Sequence, residues 1–187
     1  IDPADAKDHD DAVHARPDDD PKNEGGFILT VAIADVAAYI RPGSALDREA
    51  LERGNSVYFP DRVVPMLPER ISNDLCSLRP LEDRPALAVR MVIGSDGLKK
   101  RHSFHRVMIR SAARLSYQQA QAAIDGRPDD VTGPILEPVL EPLWACYRCL
   151  ARARDERQPL ALDLPERKII LDAEGMVDQV LVPERLD

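Results

Sequence analysis

The chain has 187 residues, 44% hydrophobic and 31% charged, the balance of one sizeable globular domain rather than a disordered segment. It lacks the run of about 18 apolar residues that a membrane-spanning helix needs, and no secretory leader pattern opens it. Its net charge of −8 argues, taken alone, against a nucleic-acid binder, which usually presents a basic surface.

The three cysteines, Cys76, Cys146 and Cys149, are too few for a disulfide framework and point to a reducing, cytoplasmic setting. Cys146 and Cys149 form a C-x-x-C, but neither a second pair nor a nearby histidine follows to complete a zinc site. They read as two thiols one turn apart on a helix, and Cys76 as a small buried residue. The chain begins at Ile1, inside a motif, and is expected to be a piece of a longer protein.

Residues 12–16 and 27–34 (FILTVAIA) read as strands, joined by the polar loop PDDDPKNEGG with its proline and glycine turn signals. The second strand is nearly all apolar, so it is expected at the centre of a sheet, buried on both faces. A helix follows in SALDREALERGN, capped by Ser44 or Asp47 and stopped by Gly54, and then a short strand in SVYFP. Residues 85–95 and 98–113 flank Asp96-Gly97, a strong hairpin signal. Helices are expected over 116–125 and 135–157, with Pro138 and Pro142 confining the regular part of the second to about 143–157. Strands over 167–172 and 176–182 meet at Glu174-Gly175. The whole reads as one α+β unit, a largely antiparallel mixed sheet with packed helices.

The opening segment, IDPADAKDHDDAVHA, carries Asp2, Asp5, Asp8, Asp10 and Asp11 within eleven positions. Charge runs are usually solvated faces, and Asp18, Asp19 and Asp20 fit that reading. Here, however, the carboxylates follow a pattern, D-x5-D-x-D-D, that leads straight into a strand. Like charges about 4 Å apart repel by roughly 1 kcal/mol in water and by more in a drier place, so the crowding suits a divalent cation with hard oxygen ligands: Mg²⁺, Mn²⁺ or Ca²⁺. An EF-hand is excluded, because the sixth residue from Asp8 is Val13, not glycine. An aspartyl-phosphate enzyme would want an apolar strand before its nucleophile, and ADAKDH stands there instead. The residues leave open a Mg²⁺ cluster for phosphoryl chemistry on a nucleotide or nucleic acid and a structural cation site.

The stretch TVAIADVAAYIRPGSALDREALERGNSVYFPDRVVPMLPERISNDLCSL resembles the catalytic (RNB) domain of the ribonuclease II/ribonuclease R exoribonucleases. The opening is similar to that family's aspartate signature, an I-D followed by D-x-D-D-A. Blocks such as GNSVYFP, VPMLPE and SNDLCSL are closer to ribonuclease R. The resemblance runs from Ile1 to Leu115 and more weakly to the end. It implies Mg²⁺-dependent, processive hydrolysis of single-stranded RNA from the 3′ end to nucleoside 5′-monophosphates. By position, Asp2, Asp8 and Asp11 would hold metal, Asp10 would be the aspartate without which cleavage fails, and Tyr58 would pack on nucleotides at the 3′ end. Mn²⁺ is a second candidate ion.

By the same resemblance the chain is the N-terminal part of the catalytic domain. The family's flanking OB-folds and a later arginine-rich segment are not in it, which answers the charge objection. The sheet along residues 27–34 is then expected to expose apolar surface. Asp5 lies outside the family pattern and is expected to be solvated, and Lys99, Lys100 and Arg101 likewise. Asp35 is expected to have a turn or capping role. His9 is expected to face away from the metal, since neighbours in an extended segment point opposite ways.

Overall fold

Four antiparallel strands in the order β1-β2-β5-β6 form the main sheet: β1 (Asp11–Pro17), β2 (Phe27–Ala34), β5 (Asp83–Ile93) and β6 (Lys99–Arg110). The computed structural model describes residues 1–160, 164, 165 and 167–182. Asp96-Gly97 turns β5 into β6 as expected: Gly97 takes a positive φ of 74°, and the Asp96 carboxylate accepts from the Leu98 N–H. A Cβ at Gly97 would also meet the Cys149 carbonyl at 2.3 Å, so this glycine serves both turn and packing.

Helix α1 (Ala45–Arg53) starts on Ser44, whose side chain accepts from the Asp47 N–H, and ends at Gly54. Of the two expected caps, Ser44 is the one used. Its neighbours β3 (Val57–Tyr58) and β4 (Val63–Val64) form a short hairpin. A wide helical turn, Arg70–Leu75, closes with the Cys76 N–H donating to the Ile71 carbonyl. Helix α2 (Tyr117–Ile124) opens with a capping box, Ser116 and Gln119. The single turn α3 (Gly133–Ile135) and a wide turn, Leu136–Leu140, lead into α4 (Glu141–Glu156), so the prolines delay the regular helix as expected. β7 (Lys168–Leu171) and β8 (Val177–Leu181) form a separate hairpin.

The two sheet faces are covered unequally. On one, α4 packs Cys146, Leu143 and Leu150 against Ala15, Phe27, Leu29, Met91 and Ile93. On the other, Ala12, Ala32, Ala86 and Ala88 form a small-residue layer with Val107 and Ile109. Cys76, Leu78, Tyr39 and Ile71 close over its end at Ala34. Cys76, Cys146 and Cys149 are all buried free thiols.

β2 is an inner strand, as expected, but it is not buried on both faces. Register places Asp11, Ile33, Leu87 and Arg106 in one row across the four strands, beyond the reach of α4. There Ile33 and Leu87 are half exposed, and Phe104 and Met108 flank the row at 65% and 64% exposure. An apolar strip therefore lies open beside Asp11. Among the described residues, no helix is long and apolar enough to cross a membrane.

Candidate active site

The four aspartates are set by two different parts of the fold. Asp10 and Asp11 belong to the sheet edge: the Asp10 carbonyl accepts from the Ala34 N–H at 2.8 Å, and Asp11 pairs with Ile33. Consecutive residues of a strand point to opposite sides, so these two carboxylates diverge. Asp10 is exposed and Asp11 half-buried.

Asp2 is set by the start of α2, far along the chain. Its N–H donates to the Leu115 carbonyl at 3.2 Å, and its carbonyl accepts from the Tyr117 N–H at 3.1 Å. This makes a single parallel bridge to Ser116. Ser116 is the residue that caps α2. The S-x-x-Q box thus fixes the helix start and, through it, the backbone of Asp2. That four-residue signal was available in the sequence, but its link to the aspartates was not.

Between these anchors, residues 3–9 make an excursion pinned at His9. The His9 N–H donates to Ser77 Oγ at 3.2 Å, and its carbonyl accepts from the Leu78 N–H at 2.7 Å. The imidazole is 7% exposed, and its Nε2 accepts from Arg114 Nε at 3.1 Å. Burial, and after it the neighbouring Arg114 guanidinium, hold the imidazole below its ordinary range; it is neutral, as an acceptor must be.

The expectation for His9 is corrected here. Its Nε2 stands 3.6 Å from Asp2 Oδ2 rather than turned away from the aspartates. The excursion carries Asp2 round to the histidine side.

Asp2 Oδ2 is buried and has no hydrogen-bond partner. It lies 3.7 Å from the Ile1 amino group and 3.6 Å from His9 Nε2; a buried carboxylate oxygen that accepts no hydrogen bond is costly, and it has a coordination position to offer. Among the described residues, no three His, Cys, Asp or Glu side chains gather in an arrangement that holds a metal ion; Asp2, Asp8, Asp10 and Asp11 line one segment without converging. A Mg²⁺-class ion needs only one or two carboxylates when waters and phosphate oxygens complete its shell. Asp2 suits that demand, with half-buried Asp8 and Asp11 on the same segment as further oxygen donors.

Asp5, outside the pattern, is exposed and pairs with Lys168 at 2.7 Å; the Lys168 hydrogen bond lowers its pKa. Asp35 opens the turn Val36–Ala38, its carbonyl accepting from the Ala38 N–H at 3.0 Å, the turn role expected of it. Its carboxylate makes no cap bond and accepts from Arg106 Nε at 2.7 Å. Lys99, Lys100 and Arg101 are exposed, as expected.

Tyr58 is 74% exposed. It is not the half-buried strand tyrosine that sequence position alone would favour. It sits on the β3–β4 hairpin next to Phe59, over whose ring Arg62 stacks 5.0 Å from the centroid. A flat, solvent-facing aromatic on a hairpin can take a nucleobase without reading its identity.

The RNB domain pattern matches residues 1–187 of the chain. The chain belongs to the RNB domain family. It is 43% identical to ribonuclease R of Vibrio parahaemolyticus over 183 residues, 96% of this chain and 21% of that enzyme. With ribonuclease R of Acidithiobacillus ferrooxidans it shares 48% over 161 residues, covering 84% of this chain and 35% of the relative. Among solved structures, Mycoplasma genitalium RNase R in complex with ribose-methylated single-stranded RNA superposes with a TM-score of 0.89 at 29% identity. That match covers 98% of this chain and 28% of the other. The chain thus spans about a fifth to a third of the curated relatives' length. The mixed α+β fold read from the sequence is that of these RNB-domain structures.

Proposed function

We propose that residues 1–187 form the metal-binding part of a 3′-to-5′ exoribonuclease catalytic domain that acts on single-stranded RNA. The observation that carries this reading is Asp2. It is held at the start of α2 with a buried carboxylate oxygen that accepts no hydrogen bond and lies 3.7 Å from the Ile1 amino group, at the head of a D-x5-D-x-D-D segment in a chain of the RNB family. The solved RNase R of Mycoplasma genitalium holds RNA, which supports RNA as the ligand here.

In this reading Asp2 and Asp11, with Asp8 beside them, hold Mg²⁺ or Mn²⁺. When bound, the ion supplies charge to the scissile phosphate and lowers the pKa of an attacking water. Asp10, exposed at the sheet edge, would accept a proton from the attacking water or help keep the ion's ligands in place. Tyr58 stacks against a base near the 3′ end and holds the strand without sequence preference. The products are nucleoside 5′-monophosphates, released processively, and the setting is cytoplasmic.

The test is a chimera in which residues 1–187 replace the matching segment of Vibrio parahaemolyticus ribonuclease R. With 5′-labelled single-stranded RNA and Mg²⁺, it should shorten the strand from the 3′ end and release mononucleotides. A chimera that binds the RNA at near-normal affinity and leaves it intact would make this chain a non-catalytic RNA-binding relative instead.

A further inference from the structure

We infer that Arg114 is a positioning residue: its guanidinium clamps the excursion from Asp2 to His9 and so sets the direction of the Asp2 carboxylate. The inference rests on the aspartate reading above. Arg114 lies just beyond β6, in the short link to α2. Its Nε donates to His9 Nε2 at 3.1 Å, and its Nη2 donates to the Ala6 carbonyl at 2.6 Å. The residues that follow in the same link hold the backbone of Asp2, through the Leu115 carbonyl and the Tyr117 N–H. One short stretch, Arg114 to Tyr117, therefore grips the excursion at its beginning, its middle and its end.

The chemistry of the grip is specific. Two N–H groups diverge from one rigid plane, one toward a ring nitrogen and one toward a carbonyl; a lysine offers a single ammonium on a flexible stem and cannot hold both in that geometry. The Arg114 bond occupies the His9 Nε2 lone pair and fixes the ring in its plane, with that edge 3.6 Å from Asp2 Oδ2. His9 Nδ1 is buried and already without a partner. Removing the guanidinium would leave both nitrogens of the buried His9 ring without a hydrogen bond and free the Ala6 carbonyl to water, and buried unpaired groups drive local rearrangement. Arg114 itself is exposed, so its loss removes little buried surface. The effect should fall on the excursion, while β2 remains intact.

The experiment compares the 187-residue chain with its Arg114→Ala and Arg114→Lys variants by two readouts. The first is amide hydrogen exchange, followed by mass spectrometry on residues 1–10 and on 27–34. The second is Mn²⁺ affinity by electron paramagnetic resonance. Both variants should exchange at least about tenfold faster over 1–10 with 27–34 unchanged, and should bind Mn²⁺ at least about tenfold more weakly. Unchanged exchange over 1–10 overturns the clamp. So does equal loss of protection over both segments in both variants, which would make Arg114 a general fold residue. Faster exchange with unchanged Mn²⁺ affinity overturns its hold on Asp2. If Arg114→Ala does not fold, Arg114→Lys decides by the same readouts. If the unaltered chain binds no Mn²⁺, the aspartate reading fails, and exchange over 1–10 decides on the clamp by itself.

Discussion

The imidazole of His9 stands 3.6 Å from the carboxylate of Asp2, although the two are seven positions apart in the chain. The relationship exists because the segment after β6 returns to the start of the chain and bonds to both. It places the first aspartate of the D-x5-D-x-D-D pattern in a pocket of fixed backbone, with a carboxylate oxygen that accepts no hydrogen bond.

Metal binding should follow from that oxygen. Mn²⁺ titrated into the chain should bind, and an Asp2→Asn, Asp11→Asn double variant should bind at least about tenfold more weakly, a difference of about 1.4 kcal/mol. Calorimetry on the two proteins checks this. Equal affinities would remove Asp2 and Asp11 from the metal site.

Tyr58 should act on the end of the reaction rather than on its chemistry. In the chimera, Tyr58→Ala should leave the rate on long RNA close to normal and change the length of the smallest RNA left over. Stacking on an aromatic is worth about 1–3 kcal/mol per base, and a short product, with few other contacts, feels that loss most. A sequencing gel reads the product ladder; an unchanged ladder would count against a stacking role.

Cys146 should be silent until the chain unfolds. Burial, and then Cys149, push its thiol from 9.0 up to about 11. The thiolate is the nucleophile, so at pH 8 iodoacetamide should label Cys146 in the native chain far more slowly than in urea. A raised folded value contributes stability that is fully present below the unfolded pKa near 9.0 and is lost as pH climbs through about 11. The urea midpoint should fall across that window. Native labelling at the unfolded rate would show that Cys146 is accessible.

Much of this fold was legible where local chemistry decides it. β2 occupies residues 27–34 because an apolar run is bounded by Gly25-Gly26 and Asp35. Asp96-Gly97 announces its hairpin, and Ser44 and Gly54 bracket α1. β3 lies within the short strand read in SVYFP, whereas the two-residue strand β4 and the wide turn Arg70–Leu75 are too short or too irregular to leave a periodic signal. β2 looked buried on both faces because composition reports apolarity, not how far α4 extends. In the site, the four aspartates and Tyr58 could be singled out by pattern and resemblance. The setting of Asp2 could not, because it depends on Arg114 meeting His9 across 105 positions, and contacts at that separation are set by tertiary packing alone. The same is true of Arg106, which takes Asp35 as its partner across 71 positions.

The chain by itself should release little nucleotide from RNA. Its net charge of −8 opposes a polyanion, and phosphate contacts supply most non-specific affinity. The apolar strip of Ile33, Leu87, Phe104 and Met108 beside Asp11 should also make the chain self-associate as its concentration rises. Labelled single-stranded RNA with Mg²⁺ and the purified chain tests the first point, and light scattering the second. Robust mononucleotide release would place a complete catalytic centre within these residues.

The most direct measurement is Asp10→Asn in the chimera, with cleavage and RNA affinity determined side by side. If Asp10 acts on the attacking water while phosphate contacts elsewhere hold the strand, cleavage should be abolished and affinity should stay near that of the unaltered chimera. Cleavage at the normal rate, or a loss of affinity as large as the loss of cleavage, would contradict the catalytic assignment of the aspartate segment.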